Sequence, residues 1–452
     1  MLIRFLIRNF LSFSGETEFN MLSSGDQKHH RDHIYGRKPI GLLKTAALYG
    51  ANGAGKSNFF KAIDVFQETV VSGEADAFQR VNKYKLDPDN VLRPTSFEVE
   101  FIKGGKSYLY GYDYSEDAVL EEWLFLSGLG KSDEVLFHRT QNQGASKVLF
   151  AERYKKSTKD RNILDFIESN LLKSNNLLIK VLNDLKEGFT EVKRAFEWFE
   201  EDLIVIFPYS TADAIIPHFI QSSSFKHFVN DSLCSFHTGI ESLDIDTIPI
   251  EDYFGQNESK LYEKIKKDLA TKKAAFIGLR ASNHTEQIVA TMEDGAPVIK
   301  RVVGKHKKRD GSLVDFYLTE ESDGTNRLLD LIPAMFQFLT SESVVLIDEI
   351  DQSIHPVLLK EIIRKILSSD KTKGQLIFST HEANLLDQSI FRRDEIWFVE
   401  KDFGETKMYP LSDYDIRFDL DIRKGYLNGR FGAIPFIGNL SELNWNEYAE
   451  VE

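Results

Sequence analysis

Thr45-Ala46-Ala47-Leu48-Tyr49-Gly50-Ala51-Asn52-Gly53-Ala54-Gly55-Lys56-Ser57-Asn58-Phe59-Phe60 is the stretch on which the fold turns. Its first five residues form an apolar run of strand type. Gly50 to Ser57 then fits the spacing Gly-x-x-x-x-Gly-Lys-Ser/Thr. Beyond it, Phe59, Phe60, Ile63, Phe66 and Val70 recur at helical intervals. The order is therefore strand, glycine-rich loop, helix. Gly50, Gly53 and Gly55 are expected to take positive φ and to let the backbone close on a ligand. With Asn52, Ala54 and Asn58 they make a cradle whose N–H groups point inward as an anion nest. The first turn of the helix adds its positive dipole end. Lys56 supplies a point charge for the β- and γ-phosphates of a nucleotide, and the Ser57 hydroxyl can coordinate Mg²⁺.

Two later segments end in the same kind of chemistry. Val344-Val345-Leu346-Ile347 is an apolar strand that delivers Asp348 and Glu349. A buried strand has no reason to end in paired acids unless something positive sits there. Beside a phosphate loop, Asp348 would hold magnesium and Glu349 would polarise the water that attacks the γ-phosphate. Gln375–Thr380 is a third apolar strand, and His381 follows it directly. A neutral imidazole there can hydrogen-bond a γ-phosphate or its water. Ligands of open α/β sheets sit at the carboxyl ends of the strands, so the three motifs are expected to converge.

The remaining chain limits what else is possible. Among 452 residues, Lys+Arg 56 against Asp+Glu 70 gives a net charge of −14. That bulk acidity opposes a uniform nucleic-acid coat but leaves room for a local basic patch. The single cysteine, Cys234, excludes a disulfide framework and a Cys-rich zinc module, which points to the cytoplasm. Arg4 and Arg8 interrupt any signal-type apolar region, and no window has the uncharged length of a membrane helix, so no membrane role is expected. Residues 2–8 are strand-like, and Ser96–Phe101, Lys106–Asp113 and Val119–Phe125 form a β-meander. Residues 160–205 and 258–272 read as helical. Strands return at 297–303 and 312–318, a helix runs from Thr325 to Leu339, and another spans Pro356–Leu367. The last strands are Glu395–Glu400 and Lys407–Pro410. The expected organisation is an N-terminal lobe over 1–150, a mainly helical insert over 151–290 and a C-terminal lobe over 291–452.

The order loop-lysine, Asp-Glu, His resembles an ABC-type ATPase head. Arg8-Asn9-Phe10-Leu11-Ser12-Phe13 and Ile347-Asp348-Glu349-Ile350-Asp351-Gln352-Ser353-Ile354-His355-Pro356 resemble the SMC and RecF group in particular. Arg392-Arg393-Asp394-Glu395-Ile396-Trp397-Phe398 and Tyr426-Leu427-Asn428-Gly429-Arg430-Phe431-Gly432-Ala433-Ile434-Pro435 are similar to RloA-like bacterial ATPases. Those are relatives of the OLD family and of the ATPase subunits in the Septu and PARIS anti-phage systems. The resemblance implies an α/β fold: a mixed sheet flanked by helices, an antiparallel β subdomain and an inserted, largely helical domain. It implies ATP and Mg²⁺ as ligands, and Glu349 and His381 as catalytic residues. It implies a homodimer or higher even-numbered assembly with two nucleotides between heads. In such heads a signature helix reaches the partner's nucleotide, and its counterpart here is Glu321-Ser322-Asp323-Gly324-Thr325, with Ser322 and Gly324 as the contacting residues. Asp351 matches the loop that touches the opposing subunit.

The same resemblance implies a separate effector, a nuclease or toxin, because too little chain follows His381 for the Toprim nuclease of OLD proteins. The alternative is a RecF- or SMC-like protein of DNA maintenance that binds nucleic acid itself. Lys305-His306-Lys307-Lys308-Arg309-Asp310-Gly311 bears on that choice, as a solvated hairpin turn or as a contact to a phosphate backbone. Asp244/Asp246 and Asp419/Asp421 read as loop and capping acids. The aromatic cluster Phe196, Trp198 and Phe199 reads mainly as core.

Overall fold

A computed structural model describes residues 1–25, 29–36, 40–74, 82–115, 118–128, 132–142, 145–210, 215–254, 263, 265–269, 277–280, 287–417 and 420–434. The chain divides into two compact units. The first holds Met1–Pro208, Ser341–Asp351 and Lys360–Glu452; the second holds Tyr209–Thr340 and Gln352–Leu359.

The first unit is built on two sheets. One is a seven-stranded antiparallel meander in the order Ala145–Phe150, Glu134–Asn142, Ala118–Leu126, Lys106–Ser115, Thr95–Lys103, Leu2–Arg8 and Thr17–Asn20. Strict alternation makes it two-faced. In Thr95–Lys103 every second residue is buried up to Phe101, while Glu98 and Glu100 turn outward toward Arg4. The other sheet has six strands in the order Leu203–Ile206, Val344–Ile347, Gln375–Thr380, Thr45–Tyr49, Ile396–Asp402 and Glu405–Pro410. Its first five strands are parallel, and the last closes an antiparallel hairpin. Val344–Ile347, Gln375–Thr380 and Thr45–Tyr49 are buried along their whole length, as parallel strands covered on both faces must be.

Aromatic side chains hold this unit together. The helix Lys56–Ser72 puts Phe59 against Phe5 and Phe19, and Phe66 against Phe5 and Phe97. Phe19 in turn meets Trp397 of the parallel sheet at 4.8 Å. Buried Gln375 joins the two sheets through the main chain: its Oε1 accepts from the Leu2 N–H, and its Nε2 donates to the Leu2 and Leu43 carbonyls. Near the C-terminus, Phe398 lies between Tyr426 and Phe431, with ring planes tilted by only 11° and 13°. Tyr409 donates to the Phe431 carbonyl at 2.9 Å. The segment Tyr426–Ile434 therefore caps the sheet beside Phe398; Pro435, the last residue of that motif, lies outside the described residues.

The second unit is mixed. Ile240–Pro249, Ala296–Lys307, Gln287–Glu293 and Ile277–Arg280 pair in that order, with Leu313–Tyr317 added to Ala296–Lys307, all antiparallel. The helices Ile215–Gln221, Ser223–Ser235 and Asp323–Thr340 bury Ile216, Phe225, Val229 and Ile332 in one core with Leu243 and Val302 of this sheet. Among the described residues, no helix is long and apolar enough to cross a membrane.

The unit boundaries fall elsewhere than at 150/151 and 290/291. Residues 151–208 stay with the first unit because their aromatics complete its core: Trp198 stacks on Phe101 at 4.3 Å, and Phe199 meets Tyr110 and Phe66. Phe196, Trp198 and Phe199 are buried and present no face to a partner. The helical reading of 160–205 also needs correction at its end. Leu203-Ile204-Val205-Ile206 is the edge strand of the parallel sheet, paired with Val344–Ile347. A four-residue aliphatic run after three acids is too short for its periodicity to separate strand from helix, and only a neighbouring strand distinguishes the two. Within 151–290 helices predominate among the described residues, with the strands Leu203–Ile206, Ile240–Pro249, Ile277–Arg280 and the start of Gln287–Glu293 running between them. The helical stretch expected at 258–272 lies largely outside the described residues.

Phe431→Ala should destabilise the protein by about 3–5 kcal/mol, the usual cost of truncating a buried aromatic. Phe431 has 0% exposure, whereas Leu427 of the same segment has 57%, and Leu427→Ala should stay within about 0.5 kcal/mol of wild type. Denaturant unfolding of both variants checks the contrast.

Candidate functional site

The parallel register brings three strand ends side by side. Tyr49 is opposite Thr380, and Ile347 is opposite Phe378, so the loop after Tyr49, the acids after Ile347 and His381 leave the sheet at one edge. A cleft of about 640 Å³ opens there. It is lined by Ala51, Asn52, Gly53, Gly55, Lys56, Ser57 and Asn58 of the loop, together with Glu349, His381 and Lys401. A second concavity of about 350 Å³, lined by Arg8, Asp113, Trp123 and His138 among others, lies on the meander sheet and contains none of these motifs.

The glycines divide their tasks. Gly53 and Gly55 take positive φ of 75° and 114°, as expected, and Gly55 opens the helix Lys56–Ser72. Gly50 does not take positive φ. It is required because a Cβ there would lie 2.2 Å from the Val399 carbonyl oxygen of the neighbouring strand. A Cβ on Gly55 would meet Thr406 Oγ1 at 2.0 Å. Thr406 donates to the Ala54 carbonyl at 2.8 Å, and Ser12 joins the brace at 2.7 Å from Thr406. Asn58 lines the cleft but turns its amide to Ser12 Oγ at 2.8 Å, so its side chain props the loop.

Lys56 is 5% exposed and folds back over the loop, donating to the Gly50 carbonyl at 2.8 Å and the Ala51 carbonyl at 3.3 Å. Burial holds its pKa down to about 8, against the pull of Asp348, Glu349 and Asp351. Asp348 is 2% exposed, and its Oδ1 accepts from Ser379 Oγ at 2.5 Å. The same Ser379 oxygen accepts from the Glu349 N–H at 2.8 Å. One hydroxyl on the adjacent strand thus sets both acids, and Glu349 turns out of the strand at φ 50°. His381 has its N–H 3.3 Å from an Asp351 carboxylate oxygen. Desolvation, and after it the Lys56 charge, keep the imidazole below its ordinary pKa and hence neutral, although the residue is exposed.

Ser322 and Gly324 fall in the second unit. Ser322 Oγ accepts from the Thr325 N–H at 3.2 Å and so caps the helix Asp323–Thr340. A Cβ on Gly324 would lie 2.8 Å from the Ser353 carbonyl. Asp351 belongs to the first unit and faces His381 of its own chain. Asp244 and Asp246 are not loop acids: they lie on the strand Ile240–Pro249 and form ion pairs with Lys305 and Arg301 of the neighbouring strand, whereas Asp421 caps the helix Ile422–Leu427; Asp419 lies outside the described residues. Ser379, Ser12, Thr406 and Lys401 escape the sequence reading. A small polar residue inside an otherwise apolar strand was a usable signal for Ser379. Lys401 carries no such mark, because only the sheet order puts Ile396–Asp402 beside the phosphate loop.

A glycine-cradled loop, a lysine and an acid pair on neighbouring parallel strands, with a separate antiparallel sheet, define an ABC-type P-loop ATPase head. The chain belongs to the family described as "AAA domain, putative AbiEii toxin, Type IV TA system", which matches residues 46–387. No curated protein matches it in sequence. Solved structures of SMC heads are among those similar to it. An SMC head bound to the C-terminal winged-helix domain of ScpA is 12% identical, with 90% of this chain and 97% of that chain covered and a TM-score of 0.42. The SMC head domain from Thermotoga maritima is 14% identical, with 90% and 98% covered and a TM-score of 0.36. The Pyrococcus furiosus Smc head with an extended coiled coil, bound to the C-terminal domain of ScpA, is 13% identical, with 95% and 98% covered and a TM-score of 0.41.

The Lys56 environment has a pH signature. Without an anion, Lys56 loses its proton as pH rises through about 8, well below the ordinary 10.5. A bound polyphosphate favours the charged form and raises that pKa, so binding takes up protons above pH 8. Nucleotide affinity should therefore fall between pH 8 and 10, by up to about tenfold per unit. Calorimetric titrations in buffers of different ionisation enthalpy measure both the affinity and the proton uptake.

Proposed function

We propose that this chain binds ATP with Mg²⁺, hydrolyses it, and uses the cycle of paired heads to gate a separate effector. The observation that carries the reading is the cleft itself: Lys56 and Ser57 line it together with Glu349 and His381. The residues suit the ligands. The positive-φ glycines, the side-chain-free approach at Gly50 and Gly55 and the desolvated ammonium of Lys56 fit a polyphosphate. Ser57 and Asp348 would hold Mg²⁺, which when bound neutralises charge on the phosphate oxygens. Glu349, oriented through Ser379, would position the attacking water and take its proton. Neutral His381 would offer a hydrogen bond to the transferring phosphoryl group. Ser322 and Gly324 would meet the nucleotide of a second copy, and Asp351 would contact that copy.

The effector would be a nuclease or toxin acting in bacterial anti-phage defence. The family description, which names a toxin and a type IV toxin–antitoxin system, agrees with a two-component role. Glu349→Gln should keep ATP affinity, lower phosphate release by about 10²–10⁴-fold and accumulate an ATP-bound dimer in light scattering. Wild-type turnover by this variant would remove Glu349 from the chemistry.

One observation favours the nucleic-acid alternative. Lys307, Lys308 and Arg309 are exposed at a hairpin tip closed by Asp310 and Gly311, and they have no ion-pair partner among the described residues. If the tip contacts a phosphate backbone, reversing all three charges should abolish ATP-dependent DNA binding and flatten its salt dependence. Unchanged binding in an electrophoretic shift assay would dismiss the tip as a contact.

A further inference from the structure

We propose that His30, Asp32 and His33 form a site for one divalent metal ion of the zinc type, at the opposite end of the parallel sheet from the phosphate loop. One donor atom from each of the three side chains lies within 4.8 Å of the other two. The tautomers carry the argument. His30 Nε2 is 2.8 Å from the Gln388 carbonyl oxygen, which can only accept, so Nε2 bears the proton and Nδ1 the lone pair. His33 Nδ1 is 2.9 and 3.0 Å from the two oxygens of Glu395, which leaves the lone pair on Nε2. Each imidazole is thus held through one nitrogen by a carbonyl or carboxylate, the outer-sphere support that metal-binding histidines have. Asp32 is exposed and makes no hydrogen bond or ion pair among the described residues. The nearby Lys44 ammonium is taken up by the Ser369 carbonyl at 3.1 Å and lies over the Tyr35 ring.

The segment is fixed before any ion arrives. Arg392 donates to the His29 carbonyl at 2.7 Å, and Asp394 accepts from the Ser24 N–H at 2.6 Å. His33 and Glu395 are both buried. Donors around a tetrahedral zinc lie about 3.3 Å apart, so the site closes by movement of the exposed Asp32, with a smaller shift of the half-buried His30, toward a stationary His33. Two imidazoles and one carboxylate select a borderline d-block cation over Mg²⁺, which prefers oxygen donors. A fourth position remains for water. Glu395 immediately precedes the strand Ile396–Asp402, whose Lys401 lines the nucleotide cleft, so the two sites lie about 20 Å apart along one strand. The ion would cross-link the His30–His33 turn, which the His33–Glu395 hydrogen bond already ties to the base of that strand.

The test uses the full chain, stripped with chelator and kept in excess Mg²⁺ and ATP so that the nucleotide acids are occupied. Zn²⁺ is titrated against a chromophoric competitor, and Co²⁺ substitution is followed by its visible spectrum. One tight equivalent is expected. His30→Ala and Asp32→Asn should each weaken it at least tenfold and erase the Co²⁺ bands, with basal ATP turnover unchanged. Both variants avoid the buried His33–Glu395 pair, whose loss would unfold the region. No stoichiometric zinc binding, or binding equal to wild type in both variants, would overturn the site. Neither result depends on the reading of the nucleotide cleft.

Discussion

Everything in the nucleotide cleft depends on the in-register parallel pairing of Thr45–Tyr49, Gln375–Thr380 and Val344–Ile347. The three strands come from opposite ends of the chain, yet their carboxyl ends finish level. A register slip in any of them would carry Lys56, Asp348 or His381 away from the others. The pairing survives the long excursion between them because loop-closure entropy rises only slowly with length. The second unit has its own core of Ile216, Phe225, Val229 and Ile332.

Charge in the cleft is balanced locally. Desolvation lowers the Lys56 pKa, and three carboxylates beside it pull the other way. Ser379 supplies one hydrogen bond to the buried Asp348 carboxylate, and it holds the Glu349 main chain in a left-handed turn that few residues adopt without support. Its small hydroxyl fits between two strands, where a longer polar side chain would have to leave the sheet.

Support from beneath the loop is equally non-local. Thr406 from the C-terminal hairpin and Ser12 from the N-terminal turn meet under Ala54, and Phe398 on the same hairpin is packed between Tyr426 and Phe431. A chain of packed side chains thus links the C-terminal motif to the strand beside the phosphate loop. That explains its aromatic and glycine content without giving it a ligand: a Cβ on Gly432 would lie 2.5 Å from Glu400 Oε2, and one on Gly425 would lie 2.7 Å from the Phe431 ring.

By itself the sequence determined the local pieces: the glycine loop between strand and helix, the acids ending one apolar run, the histidine ending another, and the alternating strands of the meander. Each is set by backbone conformation or side-chain periodicity within a few residues, so a short window contains its cause. Tertiary structure alone decided that Leu203–Ile206 is a strand, that residues 151–208 belong with the first unit, that Gly50 is needed for the carbonyl of Val399, and that Ser379 sets both acids. Those outcomes depend on which distant segment lies alongside. The energy of a buried ring or a shared hydroxyl comes from that neighbour, and the residue's own stretch of sequence carries no trace of it.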